Sequence, residues 1–129
     1  MTQTSIAPWL SVPNGSEAVR FYANALGATE AYRLEGEGGE IQVAQLLVGG
    51  APFWVSEDPA AKAERERRVR MIVTVADPDG AFRGAVDAGA TVVAPVSDAY
   101  GWRTGRVSDP FGFDWEFSKP LEDDAAKEA

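Results

Sequence analysis

Ile6-Ala7-Pro8-Trp9-Leu10-Ser11-Val12 alternates with period two, which predicts a first strand with Ala7, Trp9 and Ser11 on one face and Leu10 and Val12 on the other. In Glu17 to Leu26 the residues Ala18, Phe21, Tyr22, Ala25 and Leu26 recur at helical spacing. Asn14 or Ser16 can cap that helix, and Gly27 stops it. Extended stretches follow at 28–34, at 41–48 after the turn-rich Glu35-Gly36-Glu37-Gly38-Gly39, and at 52–56 after Gly49-Gly50. From Glu57 to Arg68 the residues favour a helix but carry no apolar stripe, so the segment reads as a solvated linker. The order then restarts: a strand at 69–75, a helix opened by Asp77-Pro78-Asp79, carrying Phe82, Ala85, Val86 and Ala88 and stopped by Gly89, and strands at 91–96, 103–108 and 113–118.

This restart is an internal repeat. Leu26-Gly27-Ala28-Thr29 and Ala88-Gly89-Ala90-Thr91 stand 62 positions apart at the same helix-to-strand junction. The expected class is α+β: one domain over residues 1–129, with a first module at 6–57, a linker at 58–68, a second module at 69–118 and a polar tail at 119–129. Each module offers a half-open sheet, and the two together would enclose a cleft.

Composition narrows the chemistry more than the fold. The chain has no cysteine and no histidine, which excludes disulfides, thiolate metal sites, cysteine nucleophiles, Ser-His pairs and imidazole-ligated metals. Twenty acids against twelve bases, nine of them arginine, give a net charge of -8, a field that repels nucleic acid and anionic lipid and favours cationic ligands. No apolar run is long enough to span a membrane, and Met1-Thr2-Gln3-Thr4-Ser5 lacks the basic start of a signal peptide, so the expectation is a soluble, cytoplasmic protein. Neither Gly36-Glu37-Gly38-Gly39 nor Gly105-Arg106 stands between a strand and a helix N-terminus as a phosphate-binding loop does, and both read as turns.

Ala18-Val19-Arg20-Phe21-Tyr22 through Leu26-Gly27-Ala28, then Asp87-Ala88-Gly89-Ala90, and above all Gly105 to Trp115 with its Asp109-Pro110-Phe111-Gly112 turn, carry a resemblance over residues 6–118. In these the chain resembles the vicinal oxygen chelate superfamily of glyoxalases, bleomycin resistance proteins and dioxygenases, its PhnB-like branch in particular. The resemblance implies a homodimer and paired βαβββ modules whose eight strands form a curled mixed sheet around a cleft, helices outside. In the family's metalloenzymes a divalent metal sits in that cleft. The positions corresponding to its ligands fall here on Ala7, Trp54, Arg70 and Glu116, or on Val43 and Phe113 for relatives with histidines there, and only Glu116 could ligate. Neither a metal nor another cofactor is therefore expected, and an Arg70–Glu116 ion pair would stand in the metal's place.

Indole and phenol rings remain as the main candidates. Trp9, Trp54 and the Tyr100-Gly101-Trp102 loop offer surfaces for stacking and cation-π contacts worth roughly 0.5 to 2 kcal/mol each, whereas Trp115, Phe53, Phe113 and Phe117 read as core. Polar candidates are Gln45, Arg70, Thr74, Arg103, Arg106, Asp114 and Glu116, with Asp114 taken as solvated and Glu116 as facing the pocket. The expected ligand-binding set is Trp9, Gln45, Trp54, Arg70, Thr74, Tyr100, Trp102, Arg106 and Glu116. The leading function is a metal-free small-molecule-binding protein of the bleomycin-resistance type, sequestering a planar or cationic compound. The alternative is a lyase, isomerase or dioxygenase of the same superfamily using Glu116 as base or metal ligand.

Overall fold

A computed structural model describes residues 5–61 and 70–121. The chain divides into two compact units, residues 1–62 and 63–129. In the first, β1 (Trp9–Val12) leads into α1 (Gly15–Leu26), β2 (Thr29–Glu35), β3 (Ile41–Val48) and β4 (Ala51–Glu57). The second repeats the order with β5 (Arg70–Thr74), α2 (Pro78–Asp87), β6 (Thr91–Ala99), β7 (Trp102–Ser108) and β8 (Asp114–Pro120). The eight expected strands make two four-stranded mixed sheets, β1-β4-β3-β2 and β5-β8-β7-β6. In each, the first strand runs parallel to the fourth and the remaining pairs are antiparallel.

Local chemistry explains the boundaries. Asn14 caps α1 by accepting from the Glu17 amide at 2.9 Å, while Ser16 accepts from the Ile41 amide at 3.1 Å and ties the helix to β3. Gly27 closes α1 in the left-handed conformation, φ 66°. Asp77 caps α2 by accepting from the Gly80 amide, with Pro78 at the first helical position. The 62-residue offset of the repeat holds at the strands that follow, which begin at Thr29 and Thr91.

Several boundaries differ from the sequence reading. Ile6 is 94% exposed, and β1 starts only at Trp9; the Pro8 carbonyl accepts from the Trp54 amide at 2.8 Å, but Pro8 has no N–H to return. Glu57 belongs to β4, and its carboxylate accepts from the Gly15 amide at 2.9 Å. Gly105 and Arg106 are not a turn but lie within β7, and β8 continues past Ser118 through Pro120. Tyr100 and Gly101, at φ 54° and 84°, make a two-residue hairpin turn rather than a loop. Residues 62–69 of the expected linker and fifth strand, and 122–129 of the tail, lie outside the described residues.

Each sheet buries one face under its helix. In the first unit Leu10, Val12, Ala44, Leu46, Phe53 and Val55 meet Ala18, Tyr22 and Ala25, with Tyr22 edge-on to Phe53 at 5.3 Å. In the second, Met71, Val107, Trp115 and Phe117 line the face under α2, as alternation predicts for the last two. The Asp-Pro-Phe-Gly turn is fastened by Asp109. Its carboxylate accepts from the Phe111 and Phe113 amides at 2.9 Å and from the Trp115 indole at 2.8 Å.

Candidate functional site

Side chains pointing away from the helices carry the candidate chemistry, and strand register sorts them into rows. In the first unit one row runs across all four strands: Trp9 opposite Trp54, Trp54 opposite Gln45, and Gln45 opposite Tyr32. A second row places Ser11, Ser56, Val43 and Leu34 beside it. The Trp9 and Trp54 rings stack with centroids 5.9 Å apart at 22°, and Tyr32 meets Trp54 edge-on at 6.0 Å. The Trp9 indole N–H donates to Ser56 Oγ at 2.9 Å, which fixes the ring's tilt. Trp9 and Tyr32 remain 55% and 48% exposed. Three large rings on the helix-free side of a sheet are not core packing; they form an open aromatic platform.

The corresponding face of the second unit is polar. Its rows are Arg70–Asp114–Ser108, Ile72–Glu116–Arg106 and Thr74–Ser118–Thr104. Charges meet along the diagonals: Arg70 Nη1 lies 3.5 Å from Glu116 Oε1, and Arg106 Nε lies 3.8 Å from Asp114 Oδ2. Arg70 is half exposed, so its pair with Glu116 is a partly solvated contact rather than a dry one. Asp114 is as shielded as Glu116, each side chain 19% exposed, which corrects the reading of Asp114 as the solvated member of the two.

Trp9, Gln45 and Trp54 thus share the first unit's platform, joined by Tyr32, which the sequence reading did not single out. Arg70, Thr74, Arg106 and Glu116 share the polar face. Trp102 lies on the Arg106 face of β7 but four residues away, about 13 Å along the strand. Tyr100, wholly exposed, sits at the turn. Arg103 belongs elsewhere: its guanidinium donates twice to Asp79 in the first turn of α2 at 2.7 Å, and once to Asp98 at 2.8 Å. These bonds hold the Asp79 carboxyl below its ordinary range.

The family's metal does not fit these residues. Ala7 precedes β1, Trp54 stands opposite Trp9, and Glu116, the sole carboxylate among the corresponding positions, faces the Arg70 guanidinium. Among the described residues no three carboxylates converge as a cation site requires. Val43 and Phe113 are apolar, and Phe113 is buried.

Comparison with known proteins agrees with this architecture. Residues 4–117 match the sequence model of the Glyoxalase/Bleomycin resistance protein/Dioxygenase superfamily. An uncharacterised protein of Mycobacterium bovis is 30% identical over 131 aligned positions, spanning 94% of this chain and 86% of that protein. Among solved structures, TioX from Micromonospora sp. ML1 superposes with a TM-score of 0.74 at 27% identity, covering 92% of this chain and 100% of that one. A gene product of Arabidopsis thaliana gives 0.70 at 29% identity, covering 91% and 99%. The fosfomycin resistance protein FosX of Listeria monocytogenes shares the fold, with a TM-score of 0.69 at 14% identity and coverage of 95% and 98%.

Proposed function

This chain belongs to the glyoxalase/bleomycin resistance protein/dioxygenase superfamily, and from that premise we propose that it binds, without transforming it, a small molecule bearing a flat or cationic ring. The observation that carries the reading is the Trp9–Trp54–Tyr32 platform. Stacking and cation-π attraction need no catalyst, and the net charge of -8 favours a cation. The donor set supports binding over metal-assisted chemistry, because the one carboxylate at a ligand position is engaged by a guanidinium. The functional form we propose is a homodimer, as the family resemblance implies, acting in the cytoplasm.

Titration of the intact protein with 9-aminoacridine, a flat cation, followed by calorimetry and by indole fluorescence, tests the platform. Trp54→Ala and Tyr32→Ala are each expected to weaken binding by roughly 2- to 30-fold, corresponding to the loss of one ring contact. Unchanged affinity in both would remove the platform from the site.

A further inference from the structure

Among the described residues, the helix-free face of the second unit holds five buried side-chain polar atoms without a hydrogen-bond partner: Thr104 Oγ1, Arg106 Nε, Ser108 Oγ, Asp114 Oδ1 and Ser118 Oγ. All five residues have even numbers on the adjacent strands β7 and β8, so alternation sets them on one side of the sheet. Register draws them together further, with Thr104 opposite Ser118 and Ser108 opposite Asp114. Ser108 and Ser118 are only 3% and 2% exposed. A buried polar atom left unpaired costs roughly 1 to 3 kcal/mol, and folded chains seldom gather several in one patch unless a partner satisfies them.

The kind of partner follows from the charges and from the order of donor and acceptor. Among the described residues Arg70 and Arg106 balance Asp114 and Glu116, so these four give the face no net charge to offer an ion. An anion placed there meets two carboxylates, and a cation meets two guanidinium groups. Arg106 Nε is a donor, and Asp114 Oδ1 beside it is an acceptor. The 3.8 Å between Arg106 Nε and the second carboxylate oxygen is too long for these two to satisfy each other. An adjacent donor and acceptor match the edge of an amide, whose carbonyl and N–H lie side by side. We propose that this face binds a neutral molecule through a carboxamide, lactam or ureide edge. The ligand's carbonyl accepts from Arg106 Nε and its N–H donates to Asp114 Oδ1, while the Ser108, Ser118 and Thr104 hydroxyls serve further polar groups. The residues that carry this proposal all lie in the second unit, and it does not rest on the aromatic platform.

Three probes of one shape separate the possibilities: benzamide offers donor and acceptor, benzoate only acceptors, and benzamidinium only donors. Each is titrated into the full ¹⁵N-labelled chain while the arginine Nε–H and tryptophan indole N–H resonances are followed in the same spectrum, Arg106→Lys identifying the Arg106 signal. Benzamide is expected to move the Arg106 Nε–H and the β7 and β8 amides saturably, with an affinity roughly tenfold above that of either ion. Asp114→Asn, which keeps the shape but removes half of the acceptor capacity, is expected to abolish that preference. Equal or tighter binding of benzoate or benzamidinium would overturn the proposal, as would an Arg106 signal that no probe moves. Shifts confined to the Trp9 and Trp54 indoles would overturn it while leaving the platform intact; the reverse pattern would do the opposite.

Discussion

Asp109 is buried at 6% exposure, yet its carboxylate is well supplied, taking two backbone amides across the turn and the Trp115 indole. Asp109→Asn keeps the size but turns an N–H toward one of those donors. We expect a loss of about 2 kcal/mol in urea unfolding; a change below about 0.5 kcal/mol would mean that the turn holds without this acceptor. The Asp-Pro-Phe-Gly run was visible in the sequence as a turn, but its role as a clamp on a core tryptophan was not, because that depends on a ring six residues away folding back. Next to it stands the opposite case, Ser108, as buried but with a hydroxyl that has no hydrogen-bond partner among the described residues. Whether a polar atom is satisfied is decided by neighbours on other strands, so the contrast between these two adjacent residues is invisible in one dimension. The equal shielding of Asp114 and Glu116 escaped the sequence reading for the same reason: alternation assigns a face and says nothing of depth.

Between elements of the second unit, α2 and β6 approach β7 closely at Gly105. A Cβ there would lie 2.6 Å from Val96 Cγ2, 2.9 Å from Phe82 Cδ2 and 3.1 Å from the Val96 backbone. Gly105→Ala therefore forces α2 or β6 to shift, and we expect a loss of roughly 1 to 3 kcal/mol in thermal or urea unfolding; a neutral effect would show that α2 yields freely. Read as a turn former, this glycine instead thins a strand so that a helix can lie close, a use that residue type alone does not reveal. Strand and helix existence was legible throughout, since the periods of two and 3.6 are local properties. Their pairing was not. Tyr32 joins the platform only because β2 pairs with β3 across a bulge between Glu30 and Tyr32, which no spacing within β2 announces. The outer strands also carry devices against further pairing. β2 has Arg33 tied to Glu30 and Glu35, and β6 has Pro95 and two register shifts.

For the whole molecule, the duplicated βαβββ order has produced two sheets of the same topology with opposite surface chemistry, three rings on one and a balanced set of charges on the other. Because the polar face is neutral overall, the net charge of -8 resides elsewhere on the chain and acts on a ligand as a long-range field, not as a contact. Such a field governs approach more than retention. Raising the ionic strength from about 0.01 M to 0.15 M shortens the screening length from roughly 30 Å to 8 Å. Over that range the association rate of 9-aminoacridine should fall by roughly 3- to 10-fold, while dissociation, set by ring contacts, stays nearly constant. Acridine-9-carboxylate, a flat anion on the same ring system, should associate faster as salt is added. Stopped-flow indole quenching with both probes checks the two slopes, and parallel slopes for cation and anion would mean that the acidic composition serves solubility and plays no part in drawing the ligand to the rings.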